Sequence, residues 1–483
     1  MYYLSTRGED NRVTLEHVLT HGLASDGGLY MPERLPHYTM EQWEAWRHLP
    51  YPALAHVLGV PFIGDSVSED VYRTLCEEAW HAFSPPRAHD HEAGRIPLVA
   101  LEDGLHVLEL FHGPTLAFKD YAMQLLARLF SHVVQRQNRH MTLLGATSGD
   151  TGSAAIHACL GRHGIRICIL HPHNRVSPCQ RRQMTTVKAE NVLNIAIEGS
   201  FDDCQRIVKT LFLDNEFARR FSLGSVNSVN WVRIMAQIPY YAHAVLRMKD
   251  WRKGVIVVVP TGNFGNIFAG FCALCMGLPI RRLVIGSNHN DVLVRVVETG
   301  IVSIGASKPS LSPSMDIQLP SNLERWLYRQ TAGHHTEKAN AVTASMRLLQ
   351  ESRQLSLSSP MHEAMGAVFS ATRVDDDETM KTMAWLWETY GYVSDPHTAV
   401  GIAAARAYQK RYGAEPYPIV CLATAHAAKF ADSVSRATGV PCPSHPTLDG
   451  TTSKEEHYDR LPPIVASVKS RIEEQWGSCA KKP

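Results

Sequence analysis

Residues 255–270 read VIVVVPTGNFGNIFAG. Five consecutive apolar β-branched residues with no polar residue between them fit a strand covered on both faces. The run then breaks at Gly262-Asn263-Phe264-Gly265-Asn266 and resumes as an apolar helix. Comparable runs recur at LHVLEL (105–110), MTLLGA (141–146), IRICIL (165–170), VLNIAI (192–197), RLVIGS (282–287) and PIVCLAT (418–424). Alternating with helical stretches, they predict an α/β fold with a parallel sheet covered by helices on both faces. In such folds ligands bind beyond the carboxyl ends of the strands, where loops lead into helices.

The chain around this stretch has 483 residues, 45% apolar and 20% charged, enough for two or three packed domains. Lys plus Arg (48) nearly balance Asp plus Glu (47), and the basic residues are scattered, which speaks against nucleic-acid binding. MYYLSTRGED shows no basic region followed by an apolar run, so no secretory signal is expected. The strongest apolar run is far too short to span a bilayer, and no membrane role is expected. Ten cysteines lack a framework spacing. The C-x-x-C of Cys272 and Cys275 lies in an apolar helix without a second pair or nearby histidines, so no metal is expected. Free buried thiols fit a reducing compartment, and the expected location is cytoplasmic.

Residues 1–95 read as a mostly helical N-terminal domain, with a turn-rich SDGGLYMPERLP (25–36) and a linker at SPPRAHDHEAGRIP (84–97). Residues 96–440 read as an α/β region with a helical insertion at about 300–390. The tail 441–483 is expected to lay a last helix, VASVKSRIEEQW, on the surface.

Three strand ends carry chemistry. After MTLLGA come Thr147, Ser148, Gly149, Asp150, Thr151 and Gly152, whose hydroxyls and amides at a helix start suit a carboxylate or phosphate, or simply cap the helix. The 262–266 turn suits a phosphate monoester; it is neither G-x-G-x-x-G nor a Walker loop, and an ordinary β–α turn is the competing reading. Thr424 ends a strand, where its hydroxyl can meet a neutral ring nitrogen or merely start a helix. A fourth feature is HGPTLAFKDY (112–121), which sets Lys119 between Phe118 and Asp120. That lysine either lays its stem on the surface or is kept for amine chemistry. An amine, a phosphate cradle and a hydroxyl together match what a phosphorylated aldehyde cofactor uses.

HGPTLAFKD, GATSGDTGSAA, SVNSVNW, PTGNFGNIFAG, SNHNDVL, SPSMDIQLPSNLER, DPHTAVG and LATAHAAKF, with STRG and GLASDGGLYMPE near the start, together resemble the threonine synthase family in its longer bacterial and fungal form. The resemblance runs in order from about residue 3 to about residue 430. It implies the tryptophan-synthase-β-like fold, fold type II, with two parallel-sheet α/β domains in a catalytic region 96–440, a small mobile subdomain at about 120–200, and pyridoxal 5'-phosphate joined to Lys119 as an internal Schiff base. It further implies Gly262, Asn263, Phe264 and Asn266 around the cofactor phosphate, Gly265 giving the turn room, and Thr424 facing the pyridine nitrogen. Thr147, Ser148, Asp150 and Thr151 are the segment implied to receive the substrate, and Asn227, Asn230 and Arg233 are further candidates for gripping its anionic groups. The implied reaction turns O-phosphohomoserine and water into threonine and phosphate by γ-elimination and β-hydration, in a monomer or homodimer. Phe118 and Ala117 are expected to desolvate the Lys119 amine, with Asp120 pointing elsewhere. One departure is Ala427, where the family has proline, which loosens the turn after Thr424. Alternatives within the cofactor class are a phospho-lyase giving 2-oxobutyrate, ammonia and phosphate, and a serine or threonine dehydratase. A non-catalytic pyridoxal-phosphate carrier or regulatory protein is the alternative of another class.

Overall fold

The N-terminal region opens on a sheet before its helices. A computed structural model of the chain describes residues 1–9, 11–81, 83, 96–102, 104–413 and 416–477; of the expected linker, positions 84–95 lie outside the described residues. Strands β1 (Tyr3–Ser5), β2 (Asn11–Val13) and β3 (Tyr30–Pro32) pair antiparallel in the order β2-β1-β3. Three-residue strands are too short to show an alternation in the sequence, so only the helices that follow could be read. One of them, Met40–Trp46, starts on a Thr39–Gln42 capping box, in which each side chain satisfies an orphan amide of the other residue.

The remaining strands divide between two sheets. β4 (Leu98–Glu102) and β5 (Leu105–Glu109) form an antiparallel pair, and the helix Lys119–Arg136 then carries the chain across to the second sheet. There it forms β6 (Met141–Ala146), β7 (Ile165–Pro172), β8 (Val192–Ile197) and β9 (Leu223–Gly224). The chain returns as β10 (Val255–Pro260) and β11 (Ile280–Ser287), makes a small ribbon from β12 (Ile301–Ser303) and β13 (Gln354–Ser356), and adds β14 (Phe369–Arg373) and β15 (Ile419–Ala423). β16 (Asp459–Leu461) goes back to the second sheet. The orders are β14-β11-β10-β15-β5-β4 and β16-β8-β7-β6-β9, parallel throughout except for β4. This is the two-sheet α/β arrangement of fold type II.

Two regions differ from their sequence reading. Phe369–Arg373, inside the expected helical insertion, is the edge strand of the larger sheet. The tail adds β16 to the smaller sheet and buries Val468, Ile472 and Trp476 of helix Val465–Trp476 against Cys168, Leu193, Cys204 and Leu211. That tail is therefore part of the second core. A strand of three residues, Asp-Arg-Leu, leaves no hydrophobic pattern to find.

β10 is buried at every position, as its continuous β-branched run requires, between helices on the two faces of its sheet. From β10 the sheet grows one way through β11 and β14, while β15 and β5 lie on its other side. The strand order thus reverses between β10 and β15, and a crevice opens at their carboxyl ends. Among the described residues no helix is long and apolar enough to cross a membrane, and no cluster of three His, Cys, Asp or Glu is arranged to hold a metal ion.

Candidate active site

An open cleft with about 530 Å³ of empty space, solvent at its mouth included, occupies that crevice, and its wall includes Lys119, Asp150, Gly262, Asn263, Phe264, Gly265, Asn266 and Thr424. Backbone pairing brings the lysine loop to the end of β15. The Phe118 amide donates to the Thr424 carbonyl at 2.9 Å, the His426 amide donates to the Leu116 carbonyl at 3.1 Å, and Ala117 bridges Ala425. The buried Leu116 takes a left-handed φ of 60° at this junction, a conformation that costs a branched residue about 1–2 kcal/mol. Asp120, fully buried, turns back into its own loop, accepting from the Thr115 amide at 2.8 Å and the Thr115 hydroxyl at 2.7 Å. Burial pushes its carboxyl up to about 6, against the pull of those two hydrogen bonds. A Cβ on Gly113 would lie 2.5 Å from Asp120, so this turn admits only glycine.

Lys119 heads the helix Lys119–Arg136, and its side chain is 12% exposed. Nζ lies 3.3 Å from Asp150 Oδ2 and 4.9 Å from the centre of the Phe118 ring. Burial lowers the pKa of this amine below that of an ordinary lysine; Asp150 opposes the shift, and Lys429 and Arg233 assist it. Asp150 Oδ1 meets Lys429 Nζ at 2.7 Å and accepts from Gln180 Nε2 at 2.7 Å. Burial alone would raise the Asp150 carboxyl, but the Lys429 and Lys119 ammoniums prevail and hold it well below the usual carboxylate range.

On the opposite wall Phe264 adopts a left-handed φ of 65° and starts the helix Gly265–Cys275. Asn263 fixes the turn: its Oδ1 accepts from the Gly265 amide at 3.0 Å and its Nδ2 donates to Ser228 Oγ at 2.7 Å. Asn266 Oδ1 accepts from the Tyr240 and Tyr241 hydroxyls at 2.5 and 2.8 Å, while its buried Nδ2 has no partner. A Cβ on Gly262 would come within 2.7 Å of the Ser314 carbonyl oxygen. An orphan amide donor beside the first turn of a helix, where main-chain amides have no intrahelical acceptor, fits an anion such as the pyridoxal-phosphate phosphate group. Across the cavity Thr424, 5% exposed, offers a neutral hydroxyl and no charge. The residues present therefore match the cofactor: amine, phosphate cradle and uncharged ring partner face one space.

The expected substrate residues divide differently. Thr147 Oγ1 is committed to the backbone, donating to the Gly149 carbonyl and accepting from the amides of Gly149 and Gly152 at 2.9–3.0 Å. Asn230 is fully buried, with Nδ2 on the Leu19 carbonyl and Oδ1 on the Val232 amide. Both side chains are thus engaged in holding the fold, and neither lines the cavity. Ser148 is exposed, and Thr151 and Asn227 are half-buried; none of the three forms the cavity wall. Arg233 is buried, donates through Nη1 to the Val226 carbonyl and leaves Nε without a partner. Burial lowers its guanidinium to about 10.

Sequence reasoning passed over His397, Ser314, Met315 and Lys429. The first three line the cavity, and His397 Nδ1 donates to Asp395 at 2.7 Å while its Nε2 accepts from the Ser314 amide at 3.2 Å. Their signal was present in DPHTAVG, SPSMDIQ and LATAHAAKF, but nothing in those strings shows which side chain turns inward.

Three family descriptions match along the chain: "Threonine synthase N terminus" over residues 2–80, "Pyridoxal-phosphate dependent enzyme" over 92–359 and "Threonine synthase, C-terminal" over 398–472. The threonine synthase of Pseudomonas aeruginosa is 44% identical over 98% of both chains. The structure of pyridoxal-phosphate-bound threonine synthase from Brucella melitensis superposes with a TM-score of 0.92 at 42% identity, covering 98% of this chain and 99% of that one. Threonine synthase from yeast gives 0.92 at 34% identity, covering 99% of each.

Proposed function

Because the chain belongs to the threonine synthase family of pyridoxal-phosphate-dependent enzymes, we propose that it converts O-phospho-L-homoserine and water to L-threonine and phosphate in the cavity between β10 and β15. The observation that carries this reading is the convergence of Lys119, the 262–266 turn and Thr424 on one space. Lys119 would hold the cofactor covalently through Nζ, the amides of residues 262–266 and the Asn266 side chain would hold its phosphate, and Thr424 would face its ring nitrogen. Bound there, pyridoxal phosphate supplies an electron sink for carbanions formed on the substrate.

The rest is done by side chains. Lys119 Nζ, freed when substrate binds, moves the proton at the substrate α carbon. Its buried setting favours the neutral amine that this role needs. The Thr424 hydroxyl leaves the ring nitrogen without an anionic partner, which restrains side reactions such as transamination. Arg233, buried with one nitrogen unpartnered, supplies positive charge toward an anionic substrate in a chain that is otherwise neutral overall. Asp150 in the cavity wall, with Ser148, Thr151 and Asn227 from neighbouring loop positions, would orient the substrate's polar groups. A soluble, cytoplasmic monomer or homodimer completes the proposal.

Product analysis tests it. Purified holoenzyme given O-phosphohomoserine is expected to release threonine and phosphate in equal amounts. Phosphate accompanied mainly by 2-oxobutyrate and ammonia would instead assign a phospho-lyase.

A further inference from the structure

Two lysines share one buried carboxylate in this site. Asp150 Oδ2 meets Lys119 at 3.3 Å, whereas Oδ1 meets both Lys429 and Gln180 at 2.7 Å. Lys429 sits in the short turn Ala427–Phe430 after β15; its side chain is 0% exposed, and Nζ also donates to the Thr115 carbonyl at 2.8 Å. We propose that Lys429 is a positioning residue for Lys119: by occupying one oxygen of Asp150, it keeps that carboxylate from holding the Lys119 amine in its protonated form. The inference rests on Lys119 as the amine that moves the substrate proton.

A buried carboxylate beside a lone lysine would form a tight ion pair, and the lysine would then be a poor base. With a second, fully enclosed ammonium on the other oxygen, the Asp150 charge is already matched. Lys119 is left with one long contact to the carboxylate. The groups facing this set are few. Asp150 faces Lys429, Lys119 and His397; Lys119 faces Asp150, Lys429 and Arg233. Lys429 also faces Asp120, His157, Cys179 and His426. Lys429 and Arg233 both oppose the Lys119 cation, and Lys429 alone touches the carboxylate. A buried pair kept only for stability could be replaced by neutral groups at little cost. This one aligns an acceptor on the reacting amine while cancelling its charge.

The test compares wild-type, Lys429→Met and Asp150→Asn holoenzymes by the pH titration of the cofactor's visible absorbance and by kcat against pH. Borohydride reduction and peptide mass analysis check where the cofactor is attached. Lys429→Met is expected to keep the cofactor on Lys119 and to move both the absorbance titration and the acid limb of kcat up by about one pH unit or more. On that limb kcat falls about tenfold per unit, and it recovers at higher pH. Asp150→Asn is expected to move the limb the other way, which keeps the proposal testable if Lys429→Met does not accumulate folded. Titrations that stay in place, with activity lowered equally at every pH, would reduce Lys429 to a structural ion-pair partner and overturn the proposal. A wild-type label on a lysine other than Lys119 would overturn the Lys119 reading, and this inference with it.

Discussion

At the scale of single residues, the site is governed by how the protein treats charge. Lys119 is enclosed against Phe118 and beside Asp150, so its amine is held below the ordinary lysine range by burial. Lys119→Ala removes both the proposed point of cofactor attachment and the amine proposed to move the substrate proton. Each such general acid–base role contributes about 10²–10⁴-fold. Multiple turnovers are expected to vanish in that variant, and steady-state release of phosphate would check this. HGPTLAFKDY raised the question of the lysine, a long cation among apolar and turn residues, but only the family resemblance gave it a role. Asp150 was legible as a member of the loop but not as a shared counter-ion. Its partner Lys429 lies on another strand end, and no local pattern links the two. Asn230 and Thr147 could not be sorted between two roles by sequence, since caps and ligand grips draw on the same residue types.

At the scale of elements, each loop is held by backbone bonds from a neighbouring loop, so small changes at the joints reach the cavity. Gly262 packs against the Ser314 carbonyl, where a Cβ would sit at 2.7 Å. Gly262→Ala therefore pushes the phosphate turn away from its neighbour. Cofactor affinity is expected to fall at least about tenfold in an absorbance titration, because misplacement of about 1 Å can cost 10² in activity. Thr147 closes the loop before helix Asp150–Cys159 with one hydroxyl that serves two amides. Thr147→Val leaves the Gly149 amide without that acceptor, a cost of about 1–3 kcal/mol when buried, whereas the Gly152 amide keeps the Gly149 carbonyl at 3.1 Å. Hydrogen exchange at Gly149 is expected to accelerate at least about tenfold. The strands and the glycine turn were readable because apolar runs and turn residues are local signals. Phe369–Arg373 was not, since it joins the sheet edge from within a stretch dominated by helices.

At the scale of the whole molecule, the N-terminal region is tied to the helix Leu323–Gln330 by a buried carboxylate. Glu324 accepts from the Thr6 hydroxyl at 2.6 Å and from Arg7 through two nitrogens at 3.1 and 2.8 Å. Nearby, Asn322 donates from its amide and side chain to the Asn263 carbonyl at 3.2 and 3.3 Å, so the same segment reaches the phosphate turn. Glu324→Ala strands the partly buried Arg7 guanidinium, and a loss of about 3 kcal/mol is expected from the urea midpoint at unchanged slope. That the strands pair in parallel followed from their apolar runs, and that they divide between two sheets came from the family resemblance. That its last strand returns to the smaller sheet did not, because three residues carry no register in themselves. The whole account nevertheless turns on which of two enclosed lysines carries the cofactor. Borohydride reduction of the holoenzyme followed by peptide mass analysis decides it: a single pyridoxyl group on the peptide bearing Lys119 is expected, and a label on Lys429, or none on Lys119, would contradict the account.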